Sequence, residues 1–243
     1  MRVARVVVCA VAVLGAFLLV LRVAWLAGYE PTWLPYLAHA VGGVIAGAVI
    51  ARQGPFPRTD AVLGGILGVA MLAAVAFISP RTFGWIAVRS SQPSLTAAAI
   101  AFGTGATTSL GAWLGGSAPR AGALSIVMLS TCTAMCLVLF GTRVAGTLLG
   151  TEGTTWMVIE TSLLAFVAGF ATQSIVSTER LVACASGVAV LFGVQVLGSA
   201  LKSQVDFKID TFLLLAPILV GLIGARAGWA LRPRAESSLA AFD

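Results

Sequence analysis

Short polar breaks divide the chain into eight apolar runs, near residues 6–28, 34–52, 61–79, 95–117, 122–141, 155–176, 180–201 and 211–231. A helix of about 20 apolar residues covers the roughly 30 Å hydrocarbon core of a bilayer, so runs of this length set the fold before anything else does. The breaks carry turn chemistry: Glu30-Pro31, Gly54-Pro55-Phe56-Pro57, Ser79-Pro80, Ser117-Ala118-Pro119 and Thr151-Glu152-Gly153. Composition agrees. The 243 residues are 59% hydrophobic and 10% charged, with a mean hydropathy of +1.01, against about 45–50% and about 25% in soluble domains. There is too little polar surface to cover so much apolar material, which excludes a soluble enzyme, a nucleic-acid binder and a disordered chain. The expected fold is an all-α membrane protein with eight transmembrane helices. The second run, with Pro35, His39 and several glycines, is the weakest; it is expected to span, with a re-entrant segment as the alternative.

Charge sets the orientation. Arg2, Arg5, Arg52, Arg58, Arg120, Arg180, Arg232 and Arg234 fall on one side, and Arg81, Arg89, Arg143, Lys202 and Lys208 on the other. The positive-inside rule then places both termini in the cytoplasm and the chain in a plasma (inner) membrane. Trp25, Trp33, Trp85, Trp113, Trp156 and Trp229 lie near the span boundaries, where an indole keeps its ring in the apolar slab and its N–H among headgroups. The N-terminal apolar run is too long for the core of a signal peptide and reads as an uncleaved first span. No basic stripe with interleaved aromatics accompanies the net charge of +6, so nucleic acid is not expected as a partner. Cys9, Cys132, Cys136 and Cys184 lie inside apolar runs and read as packing residues, with neither a disulfide nor a metal site implied.

The chain also repeats itself. Arg22-Val23-Ala24 with Gly28, Glu30 and Thr32 returns as Arg143-Val144-Ala145 with Gly150, Glu152 and Thr154, 121 to 122 residues later. The offset of 122 continues through Gly47 and Gly169, Arg58 and Arg180, and Gly65 and Gly187; it becomes 116 at Trp113 and Trp229. The expected organisation is two parallel four-helix repeats. Residues 1–117 form the first; residues 118–243 form the second and end in a short cytoplasmic tail. Each unit holds an even number of spans, so both enter the membrane in the same sense, about an axis along its normal. Gly43/Gly47, Gly64/Gly68, Gly111/Gly115, Gly146/Gly150 and Gly224/Gly228 have the spacing at which helices pack closely in lipid. They are expected to serve packing within the chain, with self-association as the alternative.

Few ionisable groups fall within the spans, and such groups are functional candidates by default. Glu160 lies about one and a half turns into the sixth span, and His39 lies at a similar depth in the second, one or two positions from the repeat equivalent of Glu160. Across the axis the two form a candidate polar site able to relay a proton or hold a cation, because imidazole titrates near neutral pH; the alternative is that each bonds locally. Arg22 with Glu30 and Arg143 with Glu152 are candidate outer charged pairs, read as loop clamps or as an anion-attracting vestibule. Arg226 is expected to snorkel to the headgroups. Gln173, Gln195, Thr104, Thr107, Thr108 and Ser109 read as hydrogen-bonding glue between helices, with the lining of a wet path as the alternative. No nucleotide-loop, nucleophile-elbow or zinc-protease motif occurs, and one histidine is too few for a three-histidine metal site. Neither an enzyme nor a cofactor is therefore expected.

The stretch Ala38-His39-Ala40-Val41-Gly42-Gly43-Val44-Ile45-Ala46-Gly47, with Ala51-Arg52 and then Gly64-Gly65, resembles a pattern in uncharacterised bacterial four-span membrane proteins. Their Gly-Gly-x-x-Ala-Gly helix ends in a basic residue. The resemblance covers about three helices of the first half and implies the four-helix unit alone. On these grounds the expectation is a multi-pass protein that acts as a small-solute or ion permease, or alternatively as a non-catalytic scaffold or subunit of a membrane complex. Its partners are the lipid bilayer and either other membrane subunits or itself.

Overall fold

The structure, a computed structural model, describes residues 2–28, 31–53, 56–78, 93–117, 122–149, 154–176, 181–184, 187–191 and 207–231. The described residues are helical, with no strand among them. The helices are α1 (Arg2–Leu26), α2 (Leu34–Ala51), α3 (Arg58–Ile78), α4 (Pro93–Gly116), α5 (Ala123–Leu149), α6 (Thr154–Ile175) and α7 (Phe207–Ala230). Further helical turns at 181–184 and 187–191 lie between α6 and α7. Seven of the eight apolar runs thus coincide with a helix, and the described residues of the run 180–201 are helical. Two helices, Val3–Leu26 and Leu34–Ala51, are long and apolar enough to cross a membrane by length and composition. The second run is one uninterrupted helix of 18 residues, with no break of the kind a re-entrant segment needs.

Local chemistry sets the ends. α1 stops where Gly28 takes a φ of 70°; its N–H bonds the Trp25 carbonyl at 3.1 Å, a left-handed turn that glycine enters without a Cβ clash. α2 begins on Pro35 in its first turn, where the missing N–H costs no helical bond. α3 follows Phe56-Pro57, and the Asp60 N–H bonds the Pro57 carbonyl at 3.0 Å. The helices overrun the apolar runs at several ends: α5 continues to Leu149 past Arg143, and α7 starts at Phe207 ahead of Lys208 and Asp210. Hydropathy marks only the apolar stretch, whereas backbone hydrogen bonding carries a helix on through a charged turn.

α1 is the central helix. It packs on α2, α3, α5 and α6, and α5 in turn packs on α1, α2, α3 and α6. Residues 8–18 of α1 are all buried. Phe17 and Leu14 on α1 and Leu129 and Met135 on α5 are among the largest fully buried side chains. Gly15 lies so close to the backbone of Cys132 on α5 that a Cβ there would collide with it.

The glycines fix the remaining contacts. On α2 and α4, a Cβ at Gly111 would meet the backbone of Val44, one at Gly115 that of Ala48, and one at Gly47 the Thr108 carbonyl and the Ala112 amide. Residue numbers rise together along both helices, so α2 and α4 run parallel. On α6 and α7, a Cβ at Gly224 would meet the backbone of Phe166, one at Gly228 that of Phe170, and one at Gly169 the Gly221 carbonyl and the Ala225 amide. These three contacts match the first three at offsets of 122 on the leading helix and 113 on the following one. The packing register thus pairs Gly111 with Gly224 rather than Trp113 with Trp229. The indoles match because both sit at helix ends, a position that the helix contact does not constrain.

Candidate functional site

His39 lies on α2 and is buried, with its ring stacked on Phe17 of α1 at a centroid distance of 4.2 Å and an interplanar angle of 22°. Its Nδ1 is buried and has no hydrogen-bond partner. Glu160 lies on α6, half-buried, between the exposed Ile159 and the buried Thr161. The structure brings the His39 ring to Phe17 and does not bring its Nδ1 to a Glu160 oxygen. The contact register makes Thr161 the positional counterpart of His39, and both are buried; the counterpart of Glu160 is Ala38. A one-residue step along a helix turns a side chain by about 100°, enough to move it off the shared face.

Arg22 on α1 is half-buried, and its guanidinium carbon lies 4.2 Å over the Trp25 ring, a cation–π contact one turn along the helix. Glu30 and Glu152 fall outside the described residues, as do Gly150 and the Arg143 side chain, so neither Arg–Glu pair is described; Gly146 lies within α5. Arg226 is exposed in the last turns of α7. By the contact register its counterpart is the exposed Trp113. Gly64 faces Cys9, and Gly68 faces Ala10 and Val13, so α1 and α3 also pack through glycine.

The buried hydroxyls divide into two kinds. Thr107 and Thr108 donate to the Thr104 carbonyl of their own helix, at 3.0 and 2.7 Å. Thr133 donates to Leu129 at 2.7 Å and Thr172 to Ala168 at 2.8 Å, again within one helix. The threonine run on α4 is therefore not glue between helices through Thr107 and Thr108. The cross-helix bonds lie elsewhere. Ser130 Oγ donates to the Cys184 carbonyl, and Thr131 Oγ1 lies 2.8 Å from the Val127 carbonyl of its own helix and 3.2 Å from the Gly187 carbonyl, its single proton shared between the two. The Cys184 thiol donates to Gln173 Oε1 at 3.3 Å. Gln53, at the end of α2, donates to the Val49 carbonyl and to Ser125 Oγ at the start of α5, both at 3.2 Å. Of these, sequence reasoning singled out Gln173 alone. Ser130 and Thr131 sit in an apolar run whose partners come 54 and 56 residues later, and nothing local announces such a bond.

Thr104 stands apart. It is 1% exposed, and its Oγ1 has no hydrogen-bond partner. All four cysteines are buried free thiols. Among the described residues, no three His, Cys, Asp or Glu side chains converge into a metal-binding group. No protein-family model, curated protein or solved structure matches the chain.

Proposed function

We propose that the chain is an eight-span membrane protein of two like four-helix units, residues 1–117 and 118–243, that works as a non-catalytic scaffold or subunit of a membrane complex. The observation that carries the scaffold reading is the packing where the two halves meet. There Gly15 abuts the Cys132 backbone, and Val11, Leu14, Phe17 and Leu18 share one apolar cluster with Met135, Cys136 and Val138. Transporters of repeated architecture place their sites at the repeat interface; among the described residues, the contact of α1 with α5 is filled with apolar side chains.

Two further observations support the membrane and repeat readings. Large apolar residues recur at four-residue spacing on outer helix faces, as Ile159, Leu163 and Val167 on α6 and Leu215, Leu219 and Ile223 on α7. Thr104, Thr108, Ser130, Thr131, Thr133, Thr172 and Gln173 are buried instead. That distribution suits hydrocarbon outside and hydrogen bonds inside, the reverse of what water selects. The matched glycine contacts of α2 with α4 and of α6 with α7 support the duplication.

Topology is tested by cysteine labelling in an inner membrane. Val205→Cys is expected to react with an impermeant maleimide in intact cells, and Pro55→Cys only after permeabilisation. The opposite pattern would overturn the orientation. The native thiols are buried and serve as the unlabelled background.

The second reading, a small-solute or ion permease, is favoured by the unpartnered buried atoms of His39 and Thr104. Proteoliposomes separate the two readings. With glycerol, urea or potassium chloride as the osmolyte, stopped-flow light scattering should match protein-free vesicles for a scaffold. A faster recovery of volume with any one of the three would select the permease.

A further inference from the structure

We infer that the first half of the molecule holds a buried water molecule between α2 and α4, hydrogen-bonded to Nδ1 of His39 and Oγ1 of Thr104. Each residue is almost wholly buried, His39 at 6% and Thr104 at 1% exposure, and each presents a buried polar atom that no protein group satisfies. Leaving such an atom unsatisfied costs about 1–3 kcal/mol, so each of the two calls for a partner.

The helix register brings the two together. A Cβ at Gly43 would meet the Thr104 carbonyl at 3.0 Å and the Thr107 and Thr108 hydroxyls. His39 is one turn before Gly43 on α2, and α2 runs parallel to α4. The α4 residues at the level of His39 are therefore those one turn earlier, 100–104. Side chains on two parallel helices lean the same way, toward their own N-termini, so the lean leaves His39 and Thr104 at neighbouring levels. No other hydroxyl of the cluster is free to donate, because Thr107 and Thr108 already give their protons to the Thr104 carbonyl. The stacked Phe17 ring offers His39 no donor. A water molecule can donate to Nδ1 of a neutral imidazole while accepting from, or donating to, a threonine hydroxyl, and two polar partners meet the minimum that a buried water requires.

The second half lacks the pair. At the matching positions Thr161 stands for His39, Val138 for Phe17 and Pro217 for Thr104. The site is thus particular to one unit, and it holds whether the whole molecule is a scaffold or a permease.

His39 is the only histidine of the chain, so whole protein labelled with 15N-histidine in lipid bilayers gives one imidazole spin system. We expect a magnetisation-transfer cross-peak between His39 and water that persists when bulk exchange is suppressed by low temperature. We also expect a changed 15Nδ1 resonance in Thr104→Val, retention of the wild-type position in Thr104→Ser, and no change in Thr107→Val. The inference is overturned by the absence of the water cross-peak in the wild-type protein, which needs no variant to fold. It is equally overturned by an Nδ1 resonance that is unmoved in Thr104→Val.

Discussion

Replacing Gly47 or Gly169 with leucine is expected to lower the thermal unfolding midpoint of the detergent-solubilised protein by roughly 5–10 °C, and by similar amounts at the two positions. Each glycine sits where a neighbouring backbone carbonyl occupies the place of a Cβ, Thr108 in one case and Gly221 in the other. Backbone cannot swing aside as the end of a flexible side chain can, so the whole helix must move. Overpacking of this kind costs about 1–3 kcal/mol, and 1 kcal/mol shifts the midpoint of a chain of this size by about 2–4 °C. The control is Gly103→Leu, where a Cβ meets nothing within 4 Å; that variant should match the wild type or exceed it slightly, since leucine is the better helix former. Fluorescence-detected chromatography after heating reads all three. A loss at Gly103 as large as at Gly47 would refute the contact register, and a loss at only one of Gly47 and Gly169 would refute the equivalence of the two helix pairs.

The second large effect is expected at the junction of the halves. Residues 1–117 and 118–243, co-expressed as separate chains, should reassemble, so that a tag on the first recovers the second. In lipid, helices insert first and associate afterwards, through close packing more than through covalent connection. The surface they share is α1 against α5, centred on Gly15 and the Cys132 backbone, with Gln53 bonding Ser125 nearby. Gly15→Leu in the first fragment should weaken association by about 5-fold to 100-fold, because the roughly 1–3 kcal/mol of overpacking enters the association constant at about 1.4 kcal/mol per decade. Gln53→Ala should have the smaller effect, since a net hydrogen bond contributes about 0.5–1.5 kcal/mol. Fragments that never associate, although each reaches the membrane, would refute the α1–α5 surface as what holds the halves together.

The helical class and the approximate position of each helix were legible because hydropathy and turn residues are local signals. Gly28 ends α1 and Pro35 opens α2, and both facts are visible within four residues of chain. What escaped was everything set by helix rotation. Thr107 and Thr108 look from the sequence like links to another helix, yet the nearest acceptor is the carbonyl one turn back, a competitor always present in a helix. His39 stands one position from the counterpart of Glu160 at the offset of 122 that the glycine contacts also give, yet the stacking of its ring on Phe17 of α1 depends on how α1 and α2 are rotated against each other, which no local signal reports. The offset in the last segment was read from tryptophans, which report depth in a bilayer, when glycine contacts report packing.

The two registers differ by nine residues, 122 for α2 with α6 and 113 for α4 with α7, while the three backbone contacts remain the same. If the halves descend from one ancestral segment, a net nine residues have been inserted or deleted between the second and fourth helices of one copy. The history of the chain then separates into two tempos. Connections and side chains have drifted freely, so that Val44 now stands where Phe166 does and Thr108 where Gly221 does. On that reading the points at which one backbone touches another have stayed fixed, and common descent would be recorded in the geometry of contact more than in the letters.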